Sequence, residues 1–366
     1  MNRKFIISGG GTGGHIFPAL SIAREIKKRD PEAAILFVGA LGRMEMEKVP
    51  AAGFPIIGLP VEGLRRKFGF RNIVVLYKLV VSLFKAAGII KTFRPDVVVG
   101  VGGYASGPLL RMAALKGIPT LIQEQNSYAG VTNKLLARKA AKICVAYPGM
   151  ERYFPAGKIV LTGNPVREEL TQQTNKADAC RFFDLDPAKP VIVVLGGSLG
   201  ARTINNSILG QILLFEKEDV QLVWQTGKLY IDLIRKELEI QELRNIRYYD
   251  FINRMDMAFG VADVIISRAG AATISELCLL GKPVILVPSP NVAEDHQTKN
   301  AMALVQNHAA LMVPDKEASE KLVQKALELV RNKVLCNELA QNSKSMGLPG
   351  AAHKIVDEII KITDQN

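Results

Sequence analysis

Short apolar runs alternate with helix-length segments along almost the whole chain. In the first half these runs are Phe5–Ser8, Ile35–Val38, Ile56–Leu59, Asp96–Gly100, Thr120–Ile122, Ile143–Ala146 and Ile159–Leu161. In the second half they are Val191–Leu195, Gln221–Trp224, Arg247–Tyr249, Asp263–Ser267, Val284–Val287 and Ala310–Val313. Because the runs are apolar on both faces, they predict parallel strands in sheets that helices cover on both sides.

The two halves repeat the same order of motifs. FIISGGGTGG (Phe5–Gly14) is similar to VVLGGSLGA (Val193–Ala201), and DVVVGVGGYASG (Asp96–Gly107) corresponds to DVIISRAGAATISE (Asp263–Glu276). This correspondence predicts an α/β protein with two doubly wound, Rossmann-like domains. We expect domains at 1–165 and 166–346, with a C-terminal helix (347–366) that joins the first domain. Since ligands of such sheets bind beyond the carboxyl ends of the strands, we expect the glycine loops to line one cleft between the domains.

The composition is that of a soluble globular protein, with 48% hydrophobic and 22% charged residues among 366. The net charge of +12 is unusual and favours an anionic partner, which can be nucleic acid, an anionic membrane surface or a phosphorylated substrate. Nucleic acid is disfavoured because no binding motif for it is present. The four scattered cysteines predict reduced thiols, and the four unclustered histidines predict no metal site. The strand-like start of the chain predicts no signal peptide.

The first glycine loop, GGGTGGHIFP (Gly9–Pro18), leads from a strand into a helix that we expect to open at Pro18. Such a loop directs free amides and the positive helix end at an anion, usually a phosphate. His15 is the one titratable side chain in this loop and is a candidate general base. A glycine turn that only packs the helix on the strand remains the alternative.

The same loop matches the dinucleotide fingerprint through Gly9, Gly11 and Gly14. That fingerprint also requires an acid at the end of the second strand to hold the ribose. Here the second strand ends without a carboxylate before Glu45, so nicotinamide or flavin binding is disfavoured. No GK[ST] follows the loop, which excludes a nucleoside-triphosphate P-loop.

In the second half, the loop Ser267–Glu276 combines small residues with hydrogen-bonding side chains. A ligand can approach its backbone closely, and the carboxylate of Glu276 can accept both hydroxyls of a ribose diol. The alternative is a glutamate that only compensates the dipole of a helix start. QEQN (Gln123–Asn126) and EDHQTKNA (Glu294–Ala301) also place polar groups at strand ends. The first is expected to point at the cleft. The second suits hydrogen bonds from His296 and Gln297 to sugar hydroxyls, and it suits an ordinary surface loop equally well.

The segment from Val61 to Pro95 carries eight basic residues against one acid, Glu62, among many apolar side chains. Lys78 and Lys85 interrupt the apolar run before it reaches the roughly 20 residues that a spanning helix needs. Basic and apolar residues together suit a helix that lies on an anionic membrane surface. A core helix with a solvated basic face is the alternative.

Six motifs in order make the chain resemble the MurG family, the peptidoglycan glycosyltransferases that convert lipid I to lipid II. They are GGTGGH (Gly10–His15), GGYASGP (Gly102–Pro108), EQN (Glu124–Asn126), TGNPVR (Thr162–Arg167), GGSLGA (Gly196–Ala201) and the Ser267–Glu276 loop. The resemblance implies a GT-B fold and UDP-N-acetylglucosamine as donor. It further implies inverting transfer to the 4-hydroxyl of the muramyl sugar of undecaprenyl-pyrophosphoryl muramyl-pentapeptide (lipid I), without metal or cofactor. It places the enzyme on the cytoplasmic face of the bacterial inner membrane as a peripheral protein.

The resemblance also implies a set of site residues, with His15 as the base. The donor-binding positions would be Thr12, Gly13, Gly14, Asn126, Arg167, Ser198, Ile252 (through its backbone), Ala271, Ala272, Thr273, Ile274, Ser275, Glu276 and Gln297. The chain departs from many members at Leu199 and Gln123, where glutamine and histidine are common, and it has one glutamine in the Gln297 loop where some have two.

Three other functions stay open from the residues alone. The first is a related lipid glycosyltransferase with another acceptor, such as a diacylglycerol. The second is a UDP-sugar epimerase on the same fold, which needs no acceptor. The third is a non-catalytic protein that binds nucleotide sugars or serves as a membrane scaffold, although His15 beside intact donor motifs argues against it.

Overall fold

The structure is a computed structural model, and it describes residues 3–11, 13–63, 70–166, 174–197, 199–239, 241–292 and 295–365. The chain divides into two compact units. Residues 1–166 and 348–366 form the first unit, and residues 167–347 form the second.

The first unit is built on a seven-stranded sheet in which all paired strands are parallel. Its strands are β1 (Lys4–Ser8), β2 (Ala34–Ala40), β3 (Ile56–Leu59), β4 (Val97–Gly100), β5 (Thr120–Glu124), β6 (Lys142–Val145) and β7 (Ile159–Leu161). Its helices up to β7 are α1 (Gly13–Arg29), α2 (Glu45–Ala51), α3 (Phe70–Phe93), α4 (Ser106–Leu115) and α5 (Val131–Leu136). The strand order is β3-β2-β1-β4-β5-β6-β7, so the order reverses between β1 and β4.

The second unit repeats this plan with a six-stranded parallel sheet. Its strands are β8 (Val191–Leu195), β9 (Gln221–Gln225), β10 (Ile246–Tyr249), β11 (Val264–Ser267), β12 (Val284–Leu286) and β13 (Leu311–Met312). Its helices are α6 (Lys176–Phe183), α7 (Arg202–Leu209), α8 (Leu213–Lys217), α9 (Ile231–Leu238), α10 (Met255–Val261), α11 (Ala271–Leu280), α12 (His296–Val305), α13 (Ala318–Arg331) and α14 (Lys333–Ser345). The strand order β10-β9-β8-β11-β12-β13 reverses between β8 and β11.

The last helix, α15 (Ala351–Asp364), lies in the first unit. Its apolar face is buried beside that of α1, in the same core cluster as Phe5 and Ile7 of β1. Arg29 of α1 donates to Asp357 of α15 over 2.6 Å and to Glu25 over 2.7 Å. The chain therefore returns to the first unit after it has completed the second.

The predicted α/β class with two doubly wound sheets is confirmed. Each of the thirteen strands coincides with a predicted apolar run to within two residues at either end. The central strands are buried along their whole length, as in β4 and β8, because helices cover both faces of each sheet. At the switch point of each sheet, a loop that contains glycine follows each of the two neighbouring strands, and ligands bind at such points.

One predicted helix start is wrong. Helix α1 begins at Gly13, so Pro18 lies inside it and not at its first turn. Proline has no amide to donate to the carbonyl of Gly14, which costs one helical hydrogen bond. The glycines adopt helical geometry themselves, and His15 therefore lies in the first turn of the helix.

Candidate active site

The first glycine loop connects β1 to α1 across Gly9, Gly10 and Gly11. Gly11 has a φ of +87°, a conformation that disfavours residues with a β-carbon. Helix α1 begins at Gly13, so its positive end, where an α-helix has amides that its own carbonyls cannot satisfy, lies at this loop. This geometry suits an anionic group, as the sequence predicts. Thr12, a predicted donor residue of the same loop, lies outside the described residues.

His15 is half-buried, and its Nδ1 lies 3.1 Å from the carbonyl oxygen of Gly10. A carbonyl can only accept a hydrogen bond, so Nδ1 carries the proton of the neutral ring and Nε2 is the basic nitrogen. The imidazole packs against Gly102, whose missing side chain leaves the space for the ring. His15 thus has the tautomer that a general base needs at Nε2.

The second glycine loop of the first unit follows β4 and lies directly on the first loop. A β-carbon on Gly103 would stand 2.4 Å from the carbonyl oxygen of Gly10, so only glycine allows this approach. The hydroxyl oxygen of Ser106, at the start of α4, lies within hydrogen-bond distance of the carbonyl oxygens of Ser8 (2.9 Å) and Gly102 (2.8 Å), which share its single proton. The two loops meet because β1 and β4 are neighbours in the sheet.

Glu45 is a residue of this site whose role the sequence does not reveal. It is the first residue of α2, and its side chain is fully buried. Its Oε2 accepts from the amide of Gly11 and its Oε1 from the amide of Ala40, each over 2.9 Å. The only signal in the sequence is an acid at a helix start five residues after Ala40, the last residue of β2, and this signal is weak.

The QEQN segment differs from its expected orientation. Gln123, Glu124 and Gln125 are all buried and form hydrogen bonds inside the first unit. Gln123 donates to the side chain of Asn164 (2.9 Å), and Asn164 donates to the carbonyl oxygen of Gln125 (3.0 Å). The prediction that the polar side chains of this segment are aimed at the cleft is therefore wrong for these three residues, which are buried inside the first unit. Gln123 and Gln125 bond Asn164, and Gln125 also donates to the carbonyl oxygen of Val101 over 2.8 Å.

Asn126, the fourth residue of that segment, is half-buried and held by Glu124. One carboxylate oxygen accepts from the backbone amide (3.0 Å) and side-chain amide (3.2 Å) of Asn126. The other accepts from the amide of Gly130 (3.0 Å) and the side chain of Asn133 (2.8 Å). Glu124 thereby fixes both ends of the loop that carries Asn126.

In the second unit, GGSLGA connects β8 to α7, as the sequence predicts, and Ser198 lies outside the described residues. A β-carbon on Gly200 would stand 2.3 Å from the carbonyl oxygen of Thr226, and one on Gly227 would stand 2.1 Å from the amide of Gly200. Leu199 is exposed. Gly200 of this loop therefore packs directly against the turn that follows β9.

The predicted diphosphate and ribose residues occupy the first turns of α11. Ala271, Ala272 and Thr273 are half-buried at the helix start, and their amides are the first of the helix. Ser275 donates its hydroxyl to the carbonyl oxygen of Ala271 over 3.0 Å. Glu276 is buried, with only 6% of its surface exposed.

Ile274 differs from its neighbours on α11 because its side chain lies in the core of the second unit. Its amide already donates to the carbonyl oxygen of Gly270 over 2.9 Å. Both the side chain and the amide of Ile274 are therefore engaged inside the second unit, and its role in substrate binding stays a prediction.

Two contacts brace the loop before α11. Asp315 accepts from Arg268 and also from the hydroxyl of Thr203 at the start of α7, the latter over 2.9 Å. Asn300, buried on α12, lies with its side-chain amide 3.5 Å from the carbonyl oxygen of Ala269. Asp315 therefore connects the helix that follows GGSLGA to the loop that precedes α11.

Hydrogen bonds within the second unit hold the residues that are predicted to contact the uracil and the sugar. The amide of Ile252 donates to the side chain of Gln225 over 3.0 Å, and both residues are buried. Gln297 is half-buried in the first turn of α12, and its side-chain oxygen accepts from the amide of Ser289 over 2.9 Å. Arg167, the predicted partner of the nucleotide, lies outside the described residues.

The cysteines offer no activated thiol. Burial raises the pKa of Cys144 to about 12 and that of Cys278 to about 11, so both stay protonated at neutral pH. In the described part of the chain, no group of three or more His, Cys, Asp or Glu side chains is arranged to hold a metal ion.

Most of the basic segment from Val61 to Pro95 forms helix α3. Judged by length and composition alone, the stretch of this helix from Ile73 to Phe93 is long and apolar enough to cross a membrane. One face, with Val75, Ala86 and Ile90, is buried in the first unit, and the opposite face exposes large apolar side chains. The exposed apolar residues are Ile73, Val74, Leu76, Tyr77, Val80 and Phe84. The predicted arginines and lysine at 65–67 lie outside the described residues, as does the side chain of Arg71.

Comparisons with known proteins agree with this architecture. Residues 5–145 match the glycosyltransferase family 28 N-terminal domain, and residues 191–355 match the corresponding C-terminal domain. The chain resembles a crystal structure of Acinetobacter baumannii MurG with a TM-score of 0.80 and 28% identity, covering 99% of this chain and 100% of that one. A UDP-GlcNAc 2-epimerase from Neisseria meningitidis shares the fold alone, with a TM-score of 0.65 and 15% identity over 99% and 100% of the two chains.

A curated relative shares more of its sequence with this chain than the solved MurG structure does. The chain is 58% identical over 363 residues to a UDP-N-acetylglucosamine–N-acetylmuramyl-(pentapeptide) pyrophosphoryl-undecaprenol N-acetylglucosamine transferase of Parabacteroides distasonis, covering 99% of both chains. With this identity over nearly its full length, and with the GT-B fold of the solved MurG structure, the chain belongs to the MurG family of glycosyltransferases.

Proposed function

We propose that this protein transfers N-acetylglucosamine from UDP-N-acetylglucosamine to the 4-hydroxyl of the muramyl sugar of lipid I, giving lipid II, with His15 as the general base. The observation that carries the assignment of the base is the hydrogen bond between Nδ1 of His15 and the carbonyl oxygen of Gly10. That bond keeps Nε2 as the basic nitrogen in the first turn of α1, beside the amides of the glycine loop.

The chemical step is an inverting displacement. Nε2 of His15 takes the proton of the acceptor hydroxyl while the oxygen attacks C1 of N-acetylglucosamine. The bond between C1 and the phosphate oxygen breaks, and its electron pair leaves with UDP. For this transfer the hydroxyl has to lie about 2.6–3.2 Å from Nε2, or to reach it through one water.

The second unit supplies the nucleotide contacts in this proposal. The free amides at the start of α11 meet the negative charge that develops on UDP, as helix starts do for phosphates. Glu276 accepts the ribose diol, and Gln297 contacts the amino sugar. Because the amide of Ile252 already donates to Gln225, its carbonyl oxygen is the group left for the uracil edge. Arg167 and Ser198 remain predicted nucleotide contacts.

In the first unit, the amides of Gly13 and Gly14 and the side chain of Asn126 serve the substrates, together with Thr12. The rigid hold of Glu124 on Asn126 supports this role, because a fixed amide can distinguish sugar hydroxyls. The chemistry uses no metal ion and no cofactor in this proposal.

We place the enzyme on the cytoplasmic face of the membrane through α3. The helix connects two parallel strands of one sheet, β3 and β4, and its inner face packs in the core, so it lies alongside the unit and not across a bilayer. Its exposed apolar face, with Tyr77 and Phe84, can enter the lipid interface. Lys85 and Lys91 are exposed on the same helix and favour anionic headgroups.

The decisive experiment measures UDP release from UDP-N-acetylglucosamine with and without a lipid I analogue. We expect release that depends on the analogue, and a His15→Ala variant that binds donor normally but turns over about 10²–10⁴-fold more slowly. A variant with near-normal turnover would remove His15 from the role of base. Turnover with diacylglycerol and not with lipid I would instead indicate the related lipid glycosyltransferase, and loss of donor without any acceptor would indicate an epimerase.

The role of Glu276 has its own test. Replacement by glutamine removes the charge while keeping the shape, and we expect a higher KM for UDP-N-acetylglucosamine. The loss should be much smaller with a 2′-deoxyuridine donor, because that donor lacks one of the two hydroxyls that the carboxylate accepts. Equal losses with both donors would show that Glu276 only supports the helix start.

A further inference from the structure

Glu45 is the feature of the first unit that the proposed mechanism leaves unexplained. Its carboxylate is completely buried, and it accepts hydrogen bonds from two backbone amides, those of Gly11 and Ala40. Burying a carboxylate is costly unless hydrogen bonds compensate it, so a hydrophobic residue would serve a purely packing role better.

A single peptide group links this carboxylate to the imidazole of His15. The carbonyl oxygen of Gly10 and the amide of Gly11 belong to the same peptide unit. Its oxygen lies 3.1 Å from Nδ1 of His15, and its nitrogen lies 2.9 Å from Oε2 of Glu45. Carboxylate, peptide and imidazole therefore form one chain of hydrogen bonds.

Such a chain has a direct effect on a base. A carboxylate that accepts from the peptide N–H polarises the peptide and makes its oxygen a stronger acceptor. That oxygen then holds the Nδ1–H tautomer of the neutral ring and stabilises the imidazolium that forms when Nε2 takes a proton. We propose that Glu45 is a positioning residue for His15, acting through the peptide between Gly10 and Gly11. This inference depends on His15 being the base.

The packing around the carboxylate fits glutamate closely. A β-carbon on Gly10 would stand 2.1 Å from Oε1 of Glu45, and one on Gly39 would stand 2.5 Å from its Cγ. Both positions are glycine, and the carboxylate occupies the space that they leave. The contact with Ala40 anchors the second oxygen at the end of β2, so Oε2 stays aimed at the loop.

The first test is a double-mutant cycle on the full-length enzyme. In Glu45→Gln the shape is kept, but the charge is lost and the new NH₂ group faces an amide donor. We expect kcat to fall by about tenfold or more while both KM values stay within about twofold, as for a group that acts only in the transition state. In a His15→Ala background the same substitution should cost nothing further. Glu47→Gln, on the exposed side of α2, is the matched control and should leave kcat unchanged.

The outcomes separate this inference from the proposed function. If His15→Ala is impaired but Glu45→Gln keeps full kcat, or loses the same factor with and without His15, the role of Glu45 is overturned and the base stands. If His15→Ala itself keeps full kcat, the proposed base fails and the role of Glu45 fails with it.

The second test needs no variant of Glu45 and holds even if that variant does not fold. The chain has four histidines, so a ¹⁵N-histidine spectrum can be assigned to His15 by its loss in His15→Ala. We expect the neutral ring of His15 to carry its proton on Nδ1 in the wild type. A neutral ring with the proton on Nε2 would overturn the inference and, with it, the assignment of His15 as the base.

Discussion

Gly102 lies so close to His15 that a β-carbon built on it would stand 2.6 Å from Cδ2 and 2.8 Å from Nε2 of the imidazole. The nitrogen that we assign as the base is therefore the atom that any side chain at position 102 would displace. A shift of about 1 Å in a catalytic group can cost about 10²-fold in rate. We expect Gly102→Ala to lower kcat by about 10²-fold in the UDP-release assay.

This substitution also places alanine at a φ of +89°, which by itself costs about 1–3 kcal/mol of stability. Gly117→Ala is the matched control, because Gly117 has a φ of +74° and a β-carbon there would meet nothing within 4 Å. Both variants should lose stability in thermal melts because of the positive φ, with a further loss in Gly102→Ala from the overlap with His15, but only Gly102→Ala should lose turnover. Similar losses of kcat in the two variants would show that backbone strain and not the imidazole is responsible.

A second prediction concerns Asp315, which accepts from both Thr203 and Arg268. If the loops on either side of it bind the donor, Asp315→Ala should loosen both and raise the KM for UDP-N-acetylglucosamine by about tenfold, or about 1.4 kcal/mol of binding free energy. Thr203→Val removes one of the two contacts and should raise KM less. A fall in kcat with an unchanged donor KM would contradict this role for Asp315.

The fold could be predicted from the sequence because its signals are local. Each strand of the two sheets is a run of adjacent apolar residues, and glycines mark the loops at both switch points. The repeated order of motifs also predicts that the two sheets are similar, and both sheets do reverse their strand order after the first strand of the unit.

The internal support of the site could not be predicted, because its contacts join residues far apart in the chain. Glu45 contacts Gly11 across 34 positions, and Gln123 contacts Asn164 across 41. The predicted start of α1 is wrong for a local reason: proline is typical of a first helical turn, which favours Pro18 as the start, whereas Gly13 and Gly14 already adopt helical geometry. The joint cleft and the individual ligand contacts stay predictions.

A third prediction follows from the ion pairs between α1 and α15. The hydrogen bond from Arg29 lowers the pKa of Asp357 below 3.8. Burial alone would raise the pKa of Glu25, but hydrogen bonds with Arg29 and His353 outweigh it and lower the pKa below 4.5. Groups with a depressed folded pKa stabilise the protein above their unfolded pKa, and this stabilisation is lost as the pH falls through the folded value.

We therefore expect Asp357→Asn to lower the melting temperature at pH 7 and to have little effect at an acid pH below the depressed pKa of Asp357, where the aspartate is protonated in the folded protein as well. A partly exposed pair contributes about 0.2–1 kcal/mol, which corresponds to a few degrees. Asp232→Asn is the control, because Asp232 is 88% exposed and pairs only with Arg235 on its own helix in the described contacts. An equal loss at both pH values would mean that packing of α15, and not charge, is affected.

The last prediction concerns the exposed face of α3. Tyr77 and Phe84 are 69% and 76% exposed, and they lie two turns apart on the same side of the helix. Burying such a side chain in lipid contributes about 1.5–3 kcal/mol, so replacing both by serine should weaken vesicle binding by at least about tenfold. Val334→Ser is the control, because Val334 is 80% exposed on α14 of the second unit.

Sedimentation with vesicles rich in anionic lipid measures the effect, and added salt should weaken binding by screening the basic residues. Equal binding to neutral and anionic vesicles would contradict the electrostatic part, and unchanged binding of the double variant would show that α3 is not the face that meets the membrane.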